Sequence, residues 1–139
     1  MNFEVDNFCF VCGKENPCGL KLSFLSDKGK ITATYTSQRM HQGYKDITHG
    51  GIITALLDEA MIHAAISLGM AFVTAEICVR FKKPLTVNTE TLIEAEITRK
   101  SSRLIEASAR LLDKDSGDVI AEAHSKLIPS KWHSSDIPI

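Results

Sequence analysis

Thr48-His49-Gly50-Gly51-Ile52-Ile53-Thr54-Ala55-Leu56-Leu57-Asp58-Glu59-Ala60 opens the one segment of this chain whose apolar residues keep a convincing helical rhythm. Carried on through Met61, Ala64, Ala65 and Leu68, they cover nearly the whole circumference of a helix over residues 50–68. A helix that is apolar all round belongs in a core, enclosed by other elements. The two glycines at its start lack Cβ atoms, so another molecule can approach the free amides of the first turn. That end carries partial positive charge and suits an oxyanion or a polarised carbonyl. About two turns on, Asp58 interrupts the apolar surface. Isolated burial of a carboxylate is costly, so Asp58 is paired, partly wet or used. At about 100° per residue, Thr54 and Asp58 share one stripe, while Glu59, His63 and Ser67 form another on the far side. Glu59 and His63, four apart, can pair. That second stripe reads as a structural polar seam or a contact with a partner subunit.

Before the helix, Phe8 to Gly19 is rich in turn residues and holds three of the four cysteines. Leu20, Leu22 and Phe24 alternate with polar residues and predict a half-buried strand. Asp27-Lys28-Gly29 makes a hairpin turn, and Ile31, Ala33 and Tyr35 then face inward opposite Thr32, Thr34 and Thr36. Residues 37–48 are polar and irregular, a loop. After Gly69, four alternating, β-branched runs predict strands at 72–82, 89–99, 103–113 and 118–128. The tail after Pro129 lacks periodicity and reads as loose. The order β-β-α-β-β-β-β argues an α+β fold, an antiparallel sheet of about six strands around one central helix. One such sheet cannot enclose the helix and protect both its edges, so a dimer is expected.

The 139 residues fit a single domain over 1–139, with 1–19 as an N-terminal turn-rich segment and 129–139 as a loose C-terminal tail. Sixteen basic against seventeen acidic residues leave a formal charge of −1, so no global field draws the chain to nucleic acid or a membrane. The acidic start, Met1-Asn2-Phe3-Glu4-Val5-Asp6, lacks the features of an export signal, and Asp58, Glu59 and His63 break the longest apolar run. A cytoplasmic protein is expected, with Cys9, Cys12, Cys18 and Cys78 mostly as thiols. Cys9-x2-Cys12-x5-Cys18 has metal-like density. Zinc sites usually need four ligands, however, and His41 and His49 are distant in sequence. A reduced segment packed over a substrate channel, without metal, is the expectation.

His49-Gly50-Gly51 followed by Leu56-Leu57-Asp58-Glu59 resembles the signature of hotdog-fold acyl-CoA thioesterases of the phenylacetate-degradation and 4-hydroxybenzoyl-CoA type. The resemblance extends over nearly the whole chain. Cys9-Phe10-Val11-Cys12-Gly13, Asn16-Pro17 and Gly19-Leu20 resemble an N-terminal motif of one branch, and Val79-Arg80-Phe81 with Pro84-Leu85 the strand after the helix. It implies a hotdog fold and a homodimer or dimer of dimers. It implies that the Gly50 N–H meets the thioester carbonyl oxygen, with Gly51 beside it. Asp58 is then the general base on water or the direct nucleophile, and Gly50 and Asp58 meet from different subunits. Two positions depart from relatives: Gly43 stands where some have asparagine, and Ile62 where others have Ser or Thr. Gln42 and Thr74 are therefore the candidates for positioning water. His49 could donate a hydrogen bond or orient the loop at the helix start.

A near-neutral protein must meet the phosphates of coenzyme A with local charge. Arg80-Phe81-Lys82-Lys83 ends one strand, and Arg99-Lys100-Ser101-Ser102-Arg103 forms a hairpin whose amides and hydroxyls add donors, which makes it the better candidate. Phe24, Met61, Phe72 and Phe81 could shape either an aromatic or a medium-chain acyl pocket. No cofactor is expected beyond the coenzyme A of the substrate, because a thiolate leaves readily. Two alternatives stay open: a non-catalytic acyl-CoA binding or sensor module, and an acyl-thioester hydratase or dehydratase pairing His49 with Asp58.

Overall fold

The structure, a computed structural model, describes residues 5–69 and 71–129; the tail expected to be loose lies outside them. Strands β1 (Leu25–Asp27) and β2 (Lys30–Thr36) precede helix α1 (Gly50–Ile66), and β3 (Phe72–Phe81), β4 (Glu90–Lys100), β5 (Ile105–Asp113) and β6 (Val119–Pro129) follow it. The six strands form one antiparallel sheet in the order β1-β2-β4-β5-β6-β3. This is the hotdog fold, with α1 laid against the sheet.

Small side chains decide where the helix lies. Ala95, Ala109 and Ala123 stand in register across β4, β5 and β6, flanked by Ile31 and Val79. All three alanines are buried. Their short side chains let the helix come close, and Leu56, Leu57, Ala60, Met61, Ala64 and Ala65 fill the space against the sheet with no exposure at all. Each fully buried leucine there is worth about 1.5–3 kcal/mol. The enclosure expected from an all-round apolar helix is only partial within one chain: Ile52, Ala55, Asp58 and Ile62 remain half-exposed on the outer side.

One predicted element changes character. Residues 20–24 pair with no strand; β1 has only three residues. Lys21 takes a left-handed φ of 54°, which breaks the pleat. The amides of Leu20 and Leu22 instead donate to the carbonyls of Phe10 and Val11, at 2.8 and 2.9 Å. The alternation was real in the sense of burial, since Leu22 is in the core, but it anchors the N-terminal segment rather than a ladder. The hairpin turn forms as expected, with Lys28 and Gly29 both at positive φ. The loop before the helix contains a short 3-10 turn at Arg39–His41.

In β3 the register shifts between Thr74 and Glu76 while β6 advances only from Leu127 to Lys126. Ala75 is the extra residue of a β-bulge. Below it Ile77, Val79 and Phe81 pair with Ser125, Ala123 and Ala121, whose side chains face the helix. The extra residue flips the parity, so Thr74, not Ala75, stands opposite buried Leu127 and faces α1.

Candidate active site

His49 is the N-cap of α1, and its Nδ1 accepts from the Gly51 N–H at 2.8 Å. Neutral His49 therefore carries its proton on Nε2, which points away from the backbone it caps. Three backbone bonds hold this corner. The amides of Thr48 and His49 donate to the carbonyls of Leu85 and His41, both at 2.8 Å, and that of Gly43 to Ile47, also at 2.8 Å. Buried Thr48 and Ser37 lock together through their hydroxyls at 2.7 Å. Of the two glycine amides singled out from the sequence, that of Gly51 is thus occupied. The Gly50 N–H donates to no group among the described residues. His49 takes the loop-orienting part and presents only Nε2 outward.

Gly50 borders a cleft of about 770 Å³ lined by Tyr44, Ile47, His49, Ile53, Phe81 and Lys82 among others. A Cβ on Gly50 would touch the Phe81 ring at 3.4 Å. Of the residues expected to shape an acyl pocket, only Phe81 reaches this cleft. Phe24 stacks on His63 with ring centroids 4.3 Å apart, Met61 is buried under the helix, and Phe72 is buried.

Asp58 lies eight residues further along the helix, about 12 Å at 1.5 Å per residue, and does not line that cleft. It is half-buried, and the Thr74 hydroxyl donates to its Oδ1 at 2.6 Å. Burial pushes the Asp58 carboxyl up, the Thr74 hydrogen bond pulls it down, and the charge of Glu59 pushes it up again; it ends above the usual aspartate range. The structure thus brings Thr74 to Asp58. It does not bring Gln42, whose Oε1 accepts from the Asp46 amide at 3.2 Å inside the loop before the helix.

The two basic clusters differ in how free their charges are. Lys82 and Lys83 pair with Glu122 and Asp118 at 2.9 and 2.8 Å, and Arg80 is exposed on the same strand end. In the β4–β5 hairpin, Ser101 closes its own turn by donating to the Leu104 carbonyl at 3.0 Å and accepting from the Leu104 amide at 3.1 Å. Arg99, Lys100, Ser102 and Arg103 are exposed, and none of those cations forms an ion pair among the described residues. Lys100 pairs with Ile105, Ile105 with Leu127, and Leu127 with Thr74. The hairpin therefore stands at the sheet level of Thr74, three strand spacings or about 14 Å across.

On the far stripe of α1, Glu59 Oε1 lies 3.3 Å from His63 Nε2. It also accepts from the thiols of Cys9 and Cys12 at 3.4 and 3.0 Å. The stripe is a structural seam that docks the N-terminal segment. Burial would raise the Glu59 carboxyl, but hydrogen bonds from His63 and Cys12 and the His63 charge hold it below its ordinary value. Burial and the adjacent carboxylate push the Cys12 thiol well above the usual thiol range. All four cysteines are free thiols. The meeting of Cys9 and Cys12 with Glu59, which also holds His63, is not legible in the sequence, because some fifty residues separate the cysteines from the helix. The one signal was the shared spacing logic: a Cys-x2-Cys turn, and two ligand-type residues one helical turn apart.

Fold and site place the molecule among hotdog-fold proteins with an open helix N-terminus. The chain belongs to the thioesterase superfamily, whose signature matches residues 46–120. Among solved structures it resembles the E. coli PaaI protein from the phenylacetic acid degradation operon, with 20% identity, a TM-score of 0.75, and coverage of 79% of this chain and 80% of that one. Zebra fish thioesterase superfamily member 2 is similar at 20% identity, TM-score 0.74, covering 83% and 88%. A hypothetical thioesterase protein from Streptococcus pneumoniae, solved with coenzyme A, is similar at 17% identity, TM-score 0.74, covering 78% and 85%. Variants of that protein have also been solved with alanine replacing an aspartate and a threonine sixteen positions apart. No curated protein sequence matches the chain. No helix among the described residues is long and apolar enough to cross a membrane.

Proposed function

We propose that this chain is an acyl-CoA thioesterase that hydrolyses an acyl-CoA to the free acid and coenzyme A, with each active site shared between two copies. The observation that carries this is the Asp58–Thr74 pair, a half-buried carboxylate with raised basicity held by one hydroxyl on a helix that begins with a bare amide. Water attacks the thioester carbonyl carbon while Asp58 takes its proton. Negative charge gathers on the carbonyl oxygen, where the Gly50 N–H and the helix N-terminus receive it. Collapse expels the coenzyme A thiolate, and the proton on Asp58 returns to products. Thiolate departure needs no metal or cofactor on the sulfur. The Asp58–Thr74 spacing of sixteen equals that of the aspartate and threonine replaced in the pneumococcal relative.

Distance supports the sharing between copies. Within one chain Gly50 and Asp58 are about 12 Å apart, too far for one carbonyl to touch both. Strand β3 is an edge strand of ten residues, open on its outer side, and Phe81 at its end is 52% exposed. Antiparallel pairing of two such edges about a two-fold at Cys78, with Ala75 as the extra residue, sets Thr74 opposite Phe81 of the second copy, and so Asp58 near its Gly50. The exposed cations at Arg99, Lys100 and Arg103 then meet the coenzyme phosphates.

Release of free thiol from a panel of short, long and aromatic acyl-CoAs tests the reading. At least one should be turned over, and Asp58→Asn should lower kcat by roughly 10²–10⁴-fold. Turnover by Asp58→Asn equal to wild type, or no turnover of any member, overturns it. Single-turnover hydrolysis in ¹⁸O-water separates general-base action from direct attack, since only attack by Asp58 places label in its own carboxylate.

A further inference from the structure

We propose that Cys9, Cys12 and Glu59 hold a zinc ion that staples the N-terminal segment to the central helix, with His63, beside Glu59, turning in as the fourth ligand. The sulfurs of Cys9 and Cys12 and a carboxylate oxygen of Glu59 all lie within 4.8 Å of one another. His63 Nε2 sits 3.3 Å from that same Glu59 Oε1 but not within 4.8 Å of both sulfurs, so its side chain must turn toward them to complete a four-ligand shell. One oxygen therefore faces three neighbours at 3.4, 3.0 and 3.3 Å. A carboxylate oxygen has lone pairs for about two donors. Two of the three groups on that oxygen are thiols, whose protons a metal ion can replace. In tetrahedral zinc, with Zn–S near 2.3 Å and Zn–N or Zn–O near 2.0–2.2 Å, neighbouring ligand atoms stand about 3.3–3.7 Å apart. Two of the three distances already fall in that range, and the third is short of it by a few tenths of an ångström.

The backbone is shaped for this role. The Cys9–Cys12 turn closes with the Gly13 amide donating to the Cys9 carbonyl at 2.9 Å. Any Cβ on Gly13 would meet the Asn7 carbonyl oxygen and the Cys9 backbone at 2.4–2.5 Å, so the turn can wind this tightly only around glycine. Glu59 and His63 are one helical turn apart and project on the same face. The Phe24 ring stacks on His63 with centroids 4.3 Å apart and covers the outer side of the cluster. All four residues are half-buried, which shields the site while leaving a way in. Two sulfurs, one imidazole and one carboxylate suit zinc over calcium or magnesium. The segment also has reason to need a staple, since Val11 and Leu22 are the only buried hydrophobic residues among its described residues. Binding replaces the two thiol protons, which pass to solvent, with one Zn²⁺.

The test uses the full-length chain stripped with a chelator and then given zinc chloride, with uptake followed by competition against a chromophoric chelator. One zinc per chain should bind, and cobalt in its place should show sulfur-to-metal charge transfer. Cys9→Ser with Cys12→Ser should abolish uptake, Glu59→Gln should weaken it by at least tenfold, and Cys18→Ser should leave it unchanged. Because the double variant could misfold, alkylation of the unaltered chain is read by mass spectrometry as well. Zinc should protect Cys9 and Cys12 while Cys18 and Cys78, both exposed, react as before. No stoichiometric uptake, or equal alkylation of all four cysteines with and without zinc, overturns the proposal.

Discussion

Thr74 reaches Asp58 at 2.6 Å only because Ala75 is looped out of the ladder between β3 and β6. The hydroxyl stabilises the charged form of the carboxyl against the cost of burial. Removing it in Thr74→Val should raise the Asp58 pKa further. Since the base acts as a carboxylate, the acid limb of the kcat/KM profile should move to higher pH, and kcat at neutral pH should fall roughly tenfold. A pH–rate profile of the variant checks both; an unmoved limb refutes the role of Thr74.

Asp58 should also cost stability. Its folded pKa is raised above the ordinary aspartate value, chiefly by burial, so the native state holds its proton more tightly than the unfolded chain. Stability therefore falls as pH rises through the window from the unfolded pKa to the folded one, and the penalty is complete above it. Asp58→Asn, which keeps an acceptor for Thr74, should raise Tm by a few degrees at neutral pH while activity is lost. The advantage should disappear below the unfolded pKa, as thermal melts across the acid range would show.

Gly50→Ala separates shape from chemistry. Its Cβ would meet the Phe81 ring at an ordinary contact distance of 3.4 Å, and alanine is a better helix former than glycine by up to about 1 kcal/mol. The variant should melt no lower than wild type. Its methyl would nonetheless crowd the approach to the Gly50 amide, and kcat/KM should fall by about tenfold or more.

Mixing two inactive proteins tests the shared site. Asp58→Asn supplies an intact Gly50, and Gly50→Val supplies an intact Asp58. Random exchange should place half the chains in mixed dimers with one working site of two, restoring about a quarter of wild-type activity. Sites complete within one chain would give no recovery.

Gly13→Ala should unfasten the N-terminal segment, whatever holds it, because the new methyl would overlap backbone atoms at 2.4–2.5 Å. Destabilisation of about 1–3 kcal/mol is expected, with limited proteolysis cutting first among residues 5–22. Uncut protein with an unchanged urea midpoint would refute it.

The central helix and the later strands were legible in the chain because they depend on local periodicity, and Gly50 and Asp58 stood out as a glycine at a helix start and a polar residue in an apolar run. Ile31, Ala33 and Tyr35 point inward as their alternation requires. Three features were not legible, each for its own reason. Leu20, Leu22 and Phe24 alternate like a strand, yet a left-handed Lys21 and the nearby Phe10–Val11 backbone turned them into an anchor. Thr74 could be suspected but not aimed, since a single looped-out residue decides which face a strand shows. The contact of Cys9 and Cys12 with Glu59 joins segments some fifty residues apart. Nothing in either segment encodes that separation; it exists only once the sheet has closed on its helix.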